Sequence, residues 1–341
     1  MLFRQLFDQV SGTYSYLIAS RRGGEALIID PVLEKVDRYL QLVRELELNL
    51  VKAVDTHLHA DHITGLGALR DRTQCITVMG EQSQVDVVSM RLADGDRLQI
   101  EGVSLDVIYT PGHTDDSYSF LMQDRVFTGD TLLIRGTGRT DFQNGDARAQ
   151  YESLFGRLLT LPEETLVFPA HDYKGDTVST IGEEKRFNPR LQVTSVDAYV
   201  ALMANLNLAN PKMMDVAVPA NMRVGLAQEE IARRGWAVTA DVAAAMIGQP
   251  DVALIDLRER REGERHGVIP GSLHAPYTAL QENIRPGGIL HEMARGRRLL
   301  FYCAFGERSA MAVQAAQDAG LTGACHIHGG IDAWKRAGHA V

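Results

Sequence analysis

The chain has 341 residues, of which 45% are hydrophobic and 23% charged, with a formal net charge of -9. This length suits two globular domains, and the acidic balance argues against nucleic-acid or anionic-membrane partners. The N-terminus lacks a signal or transit pattern, and no apolar run reaches the roughly 18 residues of a membrane span, so we expect a cytoplasmic protein. The three cysteines, Cys75, Cys303 and Cys325, are irregularly spaced and indicate no disulfide framework.

Short β-rich runs and helical patterns alternate over the first 190 residues. The sequence predicts strands at 26–30, 51–55, 75–79, 103–109, 118–121, 125–128 and 165–169, with helices at 32–48 and 63–70. Many of these strands follow each other directly. The pattern therefore favours a mixed-sheet sandwich over a plain doubly wound sheet.

The character of the sequence changes after residue 208. Pro211, Pro219 and scattered Asn and Gly residues interrupt periodicity over 209–234, which indicates a linker that packs on the first domain. From residue 235 onwards, Thr239 can cap a helix, strands are predicted at 253–257 and 299–302, and a helix at 309–319. We therefore predict domains at 1–208 and 235–341, joined by the linker.

A cluster of potential metal ligands follows the predicted strand at 51–55. The motif HxHxDH supplies His57, His59, Asp61 and His62 within six residues of a strand-to-helix turn. Imidazole and carboxylate groups together suit Zn, Fe or Mn. His113, Asp130 and His171 each follow a later strand, where functional loops collect on layered folds.

On the residues alone, this set could hold two metals. His57, His59 and His113 could bind one ion, Asp61, His62 and His171 the other, with Asp130 between them. Such a site describes a binuclear zinc hydrolase, because a metal-bound hydroxide is its generic product.

The ligand pattern resembles the metallo-β-lactamase superfamily along the first 190 residues or so. Within that superfamily, the stretches Gly136–Gln143, His171–Gly175 and Glu183–Arg190 resemble the persulfide dioxygenases, also called sulfur dioxygenases. The resemblance implies a single Fe(II) held by His57, His113 and Asp130. It also implies that the remaining cluster residues orient ligands and water; these are His59, Asp61, His62 and His171.

The same resemblance implies a binding site for glutathione persulfide beside the iron, with Arg139, Tyr173 and Arg190 as the residues that hold the peptide. This is physically reasonable because glutathione is anionic and an Arg guanidinium can bind a carboxylate through two hydrogen bonds. The implied reaction oxidises the outer sulfur with O₂ and releases sulfite and glutathione.

In the second domain, Cys303 follows a predicted strand and precedes a predicted helix. A cysteine at a helix N-terminus faces free N–H groups and the positive end of the helix dipole, and both lower the pKa of a thiol. Arg308 in the loop from Cys303 to Ser309 is placed to bind an anion or to hold the charge of a persulfide.

This loop resembles that of the rhodanese domain, as do Leu254–Glu259 and His266–Ser272. The resemblance covers about 235–341 and implies that Cys303 accepts a sulfur atom. It supports an α/β fold with an N-terminal metallo-β-lactamase αββα sandwich and a C-terminal rhodanese domain. Asp256 and Arg258 are predicted to support the fold.

Taken together, these features predict a bifunctional sulfur enzyme with glutathione persulfide, glutathione, thiosulfate and O₂ as reactants. Two alternatives remain: a glyoxalase II-like di-zinc thioester hydrolase with a rhodanese domain, and a sulfur-carrier protein that delivers persulfide to a partner. The sequence leaves the oligomeric state open, homo-oligomers included.

Overall fold

The computed structural model describes residues 1–86, 88–206, 208–209, 213–225 and 228–341. The chain divides into two compact units, the first made of Met1–Asp86 and Met90–Val224 and the second containing Gly225–Val341. Among the helices in these described ranges, none combines the length and apolarity needed to span a bilayer.

The described part of the first unit contains two six-stranded sheets and a short hairpin. In spatial order, the first sheet contains β1 (Leu2–Asp8), β2 (Thr13–Ala19), β3 (Glu25–Ile29), β4 (Asn49–Val54), β5 (Ile76–Gly80) and β6 (Met90–Leu92). The second contains β7 (Arg97–Ile100), β8 (Val103–Tyr109), β9 (Tyr118–Leu121), β10 (Arg125–Gly129), β13 (Leu166–Pro169) and β14 (Ser179–Thr180); the hairpin is β11 (Leu132–Leu133) and β12 (Gly136–Thr137). Antiparallel and parallel pairs occur in both sheets, so both are mixed.

Aromatic side chains from the two sheets meet inside the first unit. The ring centroids of Tyr16 on β2 and Phe127 on β10 are 4.9 Å apart, and those of Phe3 on β1 and Phe168 on β13 are 5.0 Å apart. Tyr16 and Phe127 are fully buried. These contacts show that the two sheets face each other, as in a sandwich.

Helices complete the layers. The first unit contains α1 (Val36–Glu45), α2 (Leu66–Thr73), α3 (Ala147–Gly156), α4 (Ile181–Phe187), α5 (Val196–Ala204) and α6 (Met214–Asn221), with 3-10 turns at Leu33–Lys35, Leu158–Thr160 and Pro189–Leu191. Helix α2 packs on β4 and β5. Helices α3, α4 and α5 share a buried apolar cluster with β10 and β13, in which Val126, Leu154, Val167, Ile181 and Tyr199 are fully buried. The predicted αββα sandwich is confirmed.

The second unit contains one parallel sheet in the order β15-β19-β18-β16-β17 within the described residues. Its strands are β15 (Ala237–Val238), β16 (Val252–Asp256), β17 (Leu273–His274), β18 (Arg298–Tyr302) and β19 (Cys325–Ile327). Its helices are α7 (Glu229–Arg233), α8 (Ala240–Met246), α9 (Arg260–His266), α10 (Leu280–Ile284), α11 (Ile289–Ala294), α12 (Glu307–Asp318) and α13 (Gly330–Arg336), with a 3-10 turn at Tyr277–Ala279. Parallel strands require such crossover connections, so this unit is α/β, as predicted.

Two charged residues of the second unit, Asp256 and Arg258, are buried at the end of β16. Arg258 donates to Asp256 through Nε at 3.0 Å and Nη2 at 2.7 Å, and the Tyr302 hydroxyl donates to the same carboxylate at 2.8 Å. Burial opposes ionisation of Asp256, but the Arg258 contacts outweigh it and lower the pKa of this carboxyl. The pair therefore satisfies both charges inside the domain.

The predicted linker contains regular structure. Met214–Asn221 forms α6 despite Pro219, and Met214–Val224 belongs to the first unit. Pro219 removes one backbone donor but does not end the helix. Pro211, which the sequence analysis also named, lies outside the described residues.

Candidate metal centre and cysteine site

The polar cluster of the first unit lies on loops that follow four strands. His57 follows β4, His113 follows β8, Asp130 follows β10 and His171 follows β13. The strands belong to both sheets, and their loops converge at one end of the sandwich. The fold thus gathers residues that are distant in sequence.

Three of the residues form a compact triad. His57, His113 and Asp130 each offer one ligand atom, and these atoms lie within 4.8 Å of one another. His113 Nε2 is 3.6 Å from Asp130 Oδ2. All three side chains are almost fully buried. Two imidazoles and one carboxylate around a single point match the ligand set of mononuclear non-haem iron sites.

Hydrogen bonds on the far side of the imidazoles prepare them to bind a cation. His113 Nδ1 donates to the carbonyl oxygen of Arg139 at 2.7 Å, which fixes the ring with Nε2 facing Asp130. His57 Nδ1 lies 2.9 Å from Thr56 Oγ1. Burial and the neighbouring imidazoles hold the pKa of His57 well below its usual value. Its ring is therefore neutral, as a metal ligand must be.

His171 connects the triad to a second polar group. Its Nδ1 is 2.7 Å from Asp130 Oδ1, and its Nε2 is 2.8 Å from Asp61 Oδ2. Burial alone would lower the pKa of His171, but the two carboxylates outweigh it and raise that pKa well above its usual value. In this state the ring donates from both nitrogens and fixes both carboxylates.

The second group consists of His59, Asp61 and His62, whose potential ligand atoms also lie within 4.8 Å of one another. Asp61 Oδ2 is 2.9 Å from His62 Nδ1, and His59 Nε2 is 3.2 Å from Asp30 Oδ1. The buried atoms His59 Nδ1 and His62 Nε2 have no hydrogen-bond partner among the described residues. Buried nitrogens of this kind need a partner. With the triad, they make the residues present a good fit to a metal centre.

A cavity of about 250 Å³ is lined by the triad. The three residues predicted to bind substrate, Arg139, Tyr173 and Arg190, all line it. The other lining side chains include two groups, one apolar (Leu133, Ile134, Phe142 and Leu208) and one basic (Arg135 and Lys174). The sequence analysis gave no site role to Lys174.

The basic residues of the cavity differ in how their charge is balanced. Arg135 pairs with Glu184, and Arg139 pairs with Asp141 through two hydrogen bonds of 2.6 and 2.7 Å. In the described part of the chain, no carboxylate pairs with Lys174 or with Arg190, whose Nη1 donates to the carbonyl of Thr137. Their charges therefore remain available to an anion in the cavity.

Tyr173 and Arg139 shape the rim of this cavity. The Tyr173 ring stacks on His171 with centroids 5.9 Å apart and planes 8° apart, and the residue is 74% exposed. The Arg139 guanidinium lies 4.8 Å from the Phe142 ring centroid and donates to the carbonyls of Leu208 and Ala209. Arg139 is thus held in place, whereas Tyr173 is open to solvent.

Cys303 of the second unit follows β18 directly and precedes α12. Gly306 N donates to Cys303 Sγ at 3.2 Å and Ser309 N at 3.4 Å. Gly306 has a φ of 90°, a left-handed conformation that favours glycine and closes the loop tightly. The loop therefore directs backbone donors at the sulfur, as the sequence predicts for a thiolate at a helix N-terminus.

Arg308 is directed away from solvent. Its side chain is fully buried, and its two Nη atoms bind the Glu262 carboxylate at 2.7 and 2.6 Å. Burial opposes its charge, but Glu262 outweighs this effect and raises the pKa of Arg308. The predicted anion-binding guanidinium thus already has an anionic partner inside the domain.

Comparison with known proteins matches each of the two units to a protein family. A model described as the metallo-beta-lactamase superfamily matches residues 8–86 and 80–171, and one described as the rhodanese-like domain matches 239–337. Human mitochondrial persulfide dioxygenase ETHE1 is 47% identical over 229 residues, 66% of this chain and 89% of the human protein. The chain belongs to the persulfide dioxygenase family.

A solved member of this family agrees in structure. ETHE1 from Myxococcus xanthus is 55% identical, with a TM-score of 0.64, over 65% of this chain and 98% of that one. The hydroxyacylglutathione hydrolase of Haemophilus ducreyi is more distant, at 32% identity over 55% of this chain and 92% of the hydrolase. The rhodanese domain extends the chain beyond the length shared with the persulfide dioxygenases.

The sequence analysis of this persulfide dioxygenase homologue did not identify some residues that hold the metal-binding cluster in place. Thr13 Oγ1 lies 3.0 Å from Asp61 Oδ2, 3.2 Å from His62 Nδ1 and 3.1 Å from His171 Nε2. Asp30, at the end of β3, accepts from Thr56 N at 2.7 Å. Asp30 ends the strand predicted at 26–30, and the Pro31 that follows was a usable signal for it. Nothing near Thr13 in the sequence indicates its position.

Asn221, the last residue of α6, is the most distant of the missed residues. Its Nδ2 donates to the carbonyls of His59 at 2.9 Å and His62 at 2.8 Å, and its Oδ1 accepts from Thr64 N at 2.9 Å. Asn221 is 2% exposed. One side chain therefore satisfies three backbone groups of the HxHxDH loop.

Proposed function

We propose that the first unit oxidises glutathione persulfide with O₂, using one Fe(II) per chain held by His57, His113 and Asp130. The observation that carries this proposal is the compact triad in a cavity that Lys174 and Arg190 also line. Membership of the persulfide dioxygenase family supports it. Glutathione persulfide, O₂ and water give glutathione, sulfite and two protons, and the four electrons lost by the outer sulfur reduce O₂.

When bound, Fe(II) supplies open coordination positions and the electrons that activate O₂. The protein residues hold this centre in place. We assign His59, Asp61, His62 and His171 to orienting the ligands, because Asp61 is hydrogen-bonded to His62 and His171, His171 to Asp130, and His59 to Asp30. Residues in this role commonly alter metal affinity when they are changed.

The cavity gives the peptide its binding groups. Lys174 and Arg190 are proposed to bind the two carboxylates of glutathione, since neither has a carboxylate partner among the described residues. Arg139 is neutralised by Asp141, so its proposed role is to shape the wall against which the peptide packs. The exposed Tyr173 ring is proposed to cover the peptide.

Metal content and oxygen uptake test the dioxygenase. Protein purified without oxygen should contain about one iron per chain and should consume O₂ and release sulfite when glutathione persulfide is added. Two zinc ions per chain, cleavage of a glutathione thioester and no O₂ uptake would support the hydrolase alternative instead.

We propose that the second unit transfers sulfur between thiosulfate and glutathione. The observation that supports it is the pair of N–H donors directed at Cys303 Sγ. The thiolate forms a bond to the outer sulfur of thiosulfate, and the bond to the sulfonate sulfur breaks, so that sulfite leaves with the electron pair. A glutathione thiolate then takes the outer sulfur and restores the Cys303 thiolate. The sequence-based assignment of Arg308 to the anionic sulfur stays a prediction, because its guanidinium is already paired with Glu262.

Sulfur transfer is measured separately from oxidation. Thiosulfate and glutathione, without O₂, should yield sulfite and glutathione persulfide, and mass spectrometry should detect 32 Da added to Cys303. A persulfide on Cys303 that passes to a protein but never to glutathione would support the sulfur-carrier alternative.

A further inference from the structure

A chain of three side chains leads from Cys303 into the core of the second unit. Cys303 Sγ is 3.6 Å from Ser309 Oγ, and Ser309 Oγ is 3.1 Å from His326 Nδ1. Ser309 is on the first turn of α12 and His326 on β19. His326 is therefore linked to the sulfur through a single hydroxyl group.

His326 is buried in an environment that keeps it neutral. It has no exposed surface, and its Nε2 has no hydrogen-bond partner in the described part of the chain. Burial, with a smaller effect of His328, lowers the pKa of His326 to about 4. Near neutral pH the ring therefore carries one proton, on either Nδ1 or Nε2.

The surroundings decide which nitrogen carries that proton. A proton on Nε2 would be a buried N–H without an acceptor, which proteins rarely tolerate. A proton on Nδ1 has Ser309 Oγ as its acceptor. The second tautomer is therefore favoured, and the Ser309 hydroxyl accepts from His326 rather than donating to it.

This arrangement determines where the Ser309 proton points. Its two remaining acceptors are the carbonyl of Gly306, at 3.1 Å, and Cys303 Sγ. When the sulfur is a thiolate or a persulfide anion, the charged acceptor is preferred over the neutral carbonyl. Ser309 then adds an O–H donor to the N–H donors of Gly306 and Ser309.

We propose that His326 is a positioning residue for sulfur transfer: it donates from Nδ1 to Ser309 and thereby directs the Ser309 hydroxyl at the anionic sulfur of Cys303. The inference rests on the proposed sulfurtransferase function and names a residue that acts in it. His326 itself does not touch the substrate.

We considered which other ionisable groups near His326 could orient the Ser309 hydroxyl. The elements packed against β19 contribute Arg298 and Tyr302 from β18, Glu307, Arg308 and Asp318 from α12, and Asp332, Lys335 and Arg336 from α13, while β19 and its following turn contribute Cys325 and His328. Strand β15 contributes none. The His328 ring centroid is 6.5 Å from that of His326, and Arg308 is bound by Glu262. Among the residues that the structure describes, the side-chain hydrogen bonds that link Cys303 to His326 run through Ser309.

Titration of the Cys303 thiolate tests the proposal in the full chain. Thiolate absorbance near 240 nm is followed against pH, and the signal of the Cys303→Ser variant is subtracted, so that no reagent has to reach the buried sulfur. His326→Phe keeps a ring but removes the donor, and we expect the midpoint to rise by about one to two pH units. His326→Asn places an amide N–H near the position of Nδ1 and should restore most of the shift.

Three controls make the outcome decisive. Ser309→Ala should move the midpoint as His326→Phe does, and the double variant should move it no further. His328→Asn should leave it unchanged. If His326→Phe does not fold, His326→Gln replaces it, because its amide stands at the Nε2 position and cannot donate to Ser309.

Equal shifts in the Phe and Asn variants would indicate packing rather than a hydrogen bond and would overturn the proposal, as would an unchanged midpoint in His326→Phe. The titration needs no turnover. An unaltered chain that fails to transfer sulfur from thiosulfate would contradict the proposed function, whereas the titration midpoint would still decide the role of His326.

Discussion

Gly138 lies against two members of the metal-binding triad. A Cβ built at this position would be 2.2 Å from the Asp130 backbone oxygen and 2.7 Å from His113 Nδ1. Real side chains do not approach this closely, so Gly138→Ala must displace one of these groups. We expect iron affinity to fall by ~10- to 100-fold, as for other changes beside metal ligands.

Gly136 offers a matched control two residues away. The nearest atom to a Cβ at Gly136 is Leu133 Cβ at 3.8 Å, an ordinary contact. Iron bound per chain after dialysis against a chelator should therefore drop for Gly138→Ala and stay unchanged for Gly136→Ala. Equal iron retention by both variants would contradict the proposed triad geometry.

Lys174 and Arg190 line the cavity and have no carboxylate partner among the described residues. Replacing either with Ala removes a charged hydrogen-bond donor worth ~1.5–3 kcal/mol. Because the donors bind the peptide and not the reacting sulfur, we expect KM for glutathione persulfide to rise ~10-fold or more while kcat changes less. The measurement is oxygen uptake across a range of substrate concentrations.

Arg186→Ala serves as the control for this pair, since Arg186 is exposed, pairs with Glu163 and does not line the cavity. A fall in kcat with an unchanged KM in the Lys174 or Arg190 variant would assign these residues to the reaction itself and contradict a role in peptide binding.

Helix α6 acts on the metal centre through its last residue. Asn221→Ala would leave two carbonyls and one N–H of the HxHxDH loop without partners, and each such buried group costs ~1–3 kcal/mol. We expect a lower Tm and weaker iron binding, with no change in sulfur transfer. Calorimetry and metal analysis measure these effects.

Val216→Ala is the control on the same helix, because Val216 is 55% exposed and makes no hydrogen bond through its side chain. If Asn221→Ala lost no more iron than Val216→Ala, the contacts of Asn221 with the loop would be irrelevant to the metal.

Individual elements differ in how well the sequence predicts them. Strands at 103–109 and 118–121 match β8 and β9 in full, since β8 alternates buried and exposed residues. Strand β2 was missed, although all seven of its residues are buried; burial alone does not explain this, because the equally buried β5 was predicted. Helix α2 begins at Leu66 rather than Ile63, after a turn that bears the ligands.

The residues of the candidate site also differ in how well the sequence predicts them. Its ligands were readable because they occur in short motifs directly after strands. Thr13 and Asn221 were not readable, since their contacts with the motif arise from chain segments 48 and more than 150 residues away. The pairing of Arg308 with Glu262 depends on helix α9 and was likewise invisible in the loop sequence.

At the scale of the whole molecule, the two proposed activities share glutathione persulfide as product and substrate. A covalent connection raises the effective concentration of one domain near the other. We expect Cys303→Ala to abolish thiosulfate-dependent O₂ uptake but to leave uptake on supplied glutathione persulfide unchanged. An oxygen electrode measures both in one experiment.

Cys75→Ala is the matched control, since Cys75 is a buried cysteine of the first unit. Loss of both activities in Cys303→Ala would mean that the second unit is needed for the first to work, and would contradict two independent reactions.

The position of Asn221 also limits where this gene can be cut or joined. A fragment that stops at residue 208 would contain every proposed iron ligand yet lack the amide that fastens their loop. The junction lies after Val224, whose carbonyl still binds Arg70, and before Gln228, which donates to the carbonyl of Phe305 in the Cys303 loop. Exchange of the C-terminal module, by recombination or by an engineer, should succeed only within that short window.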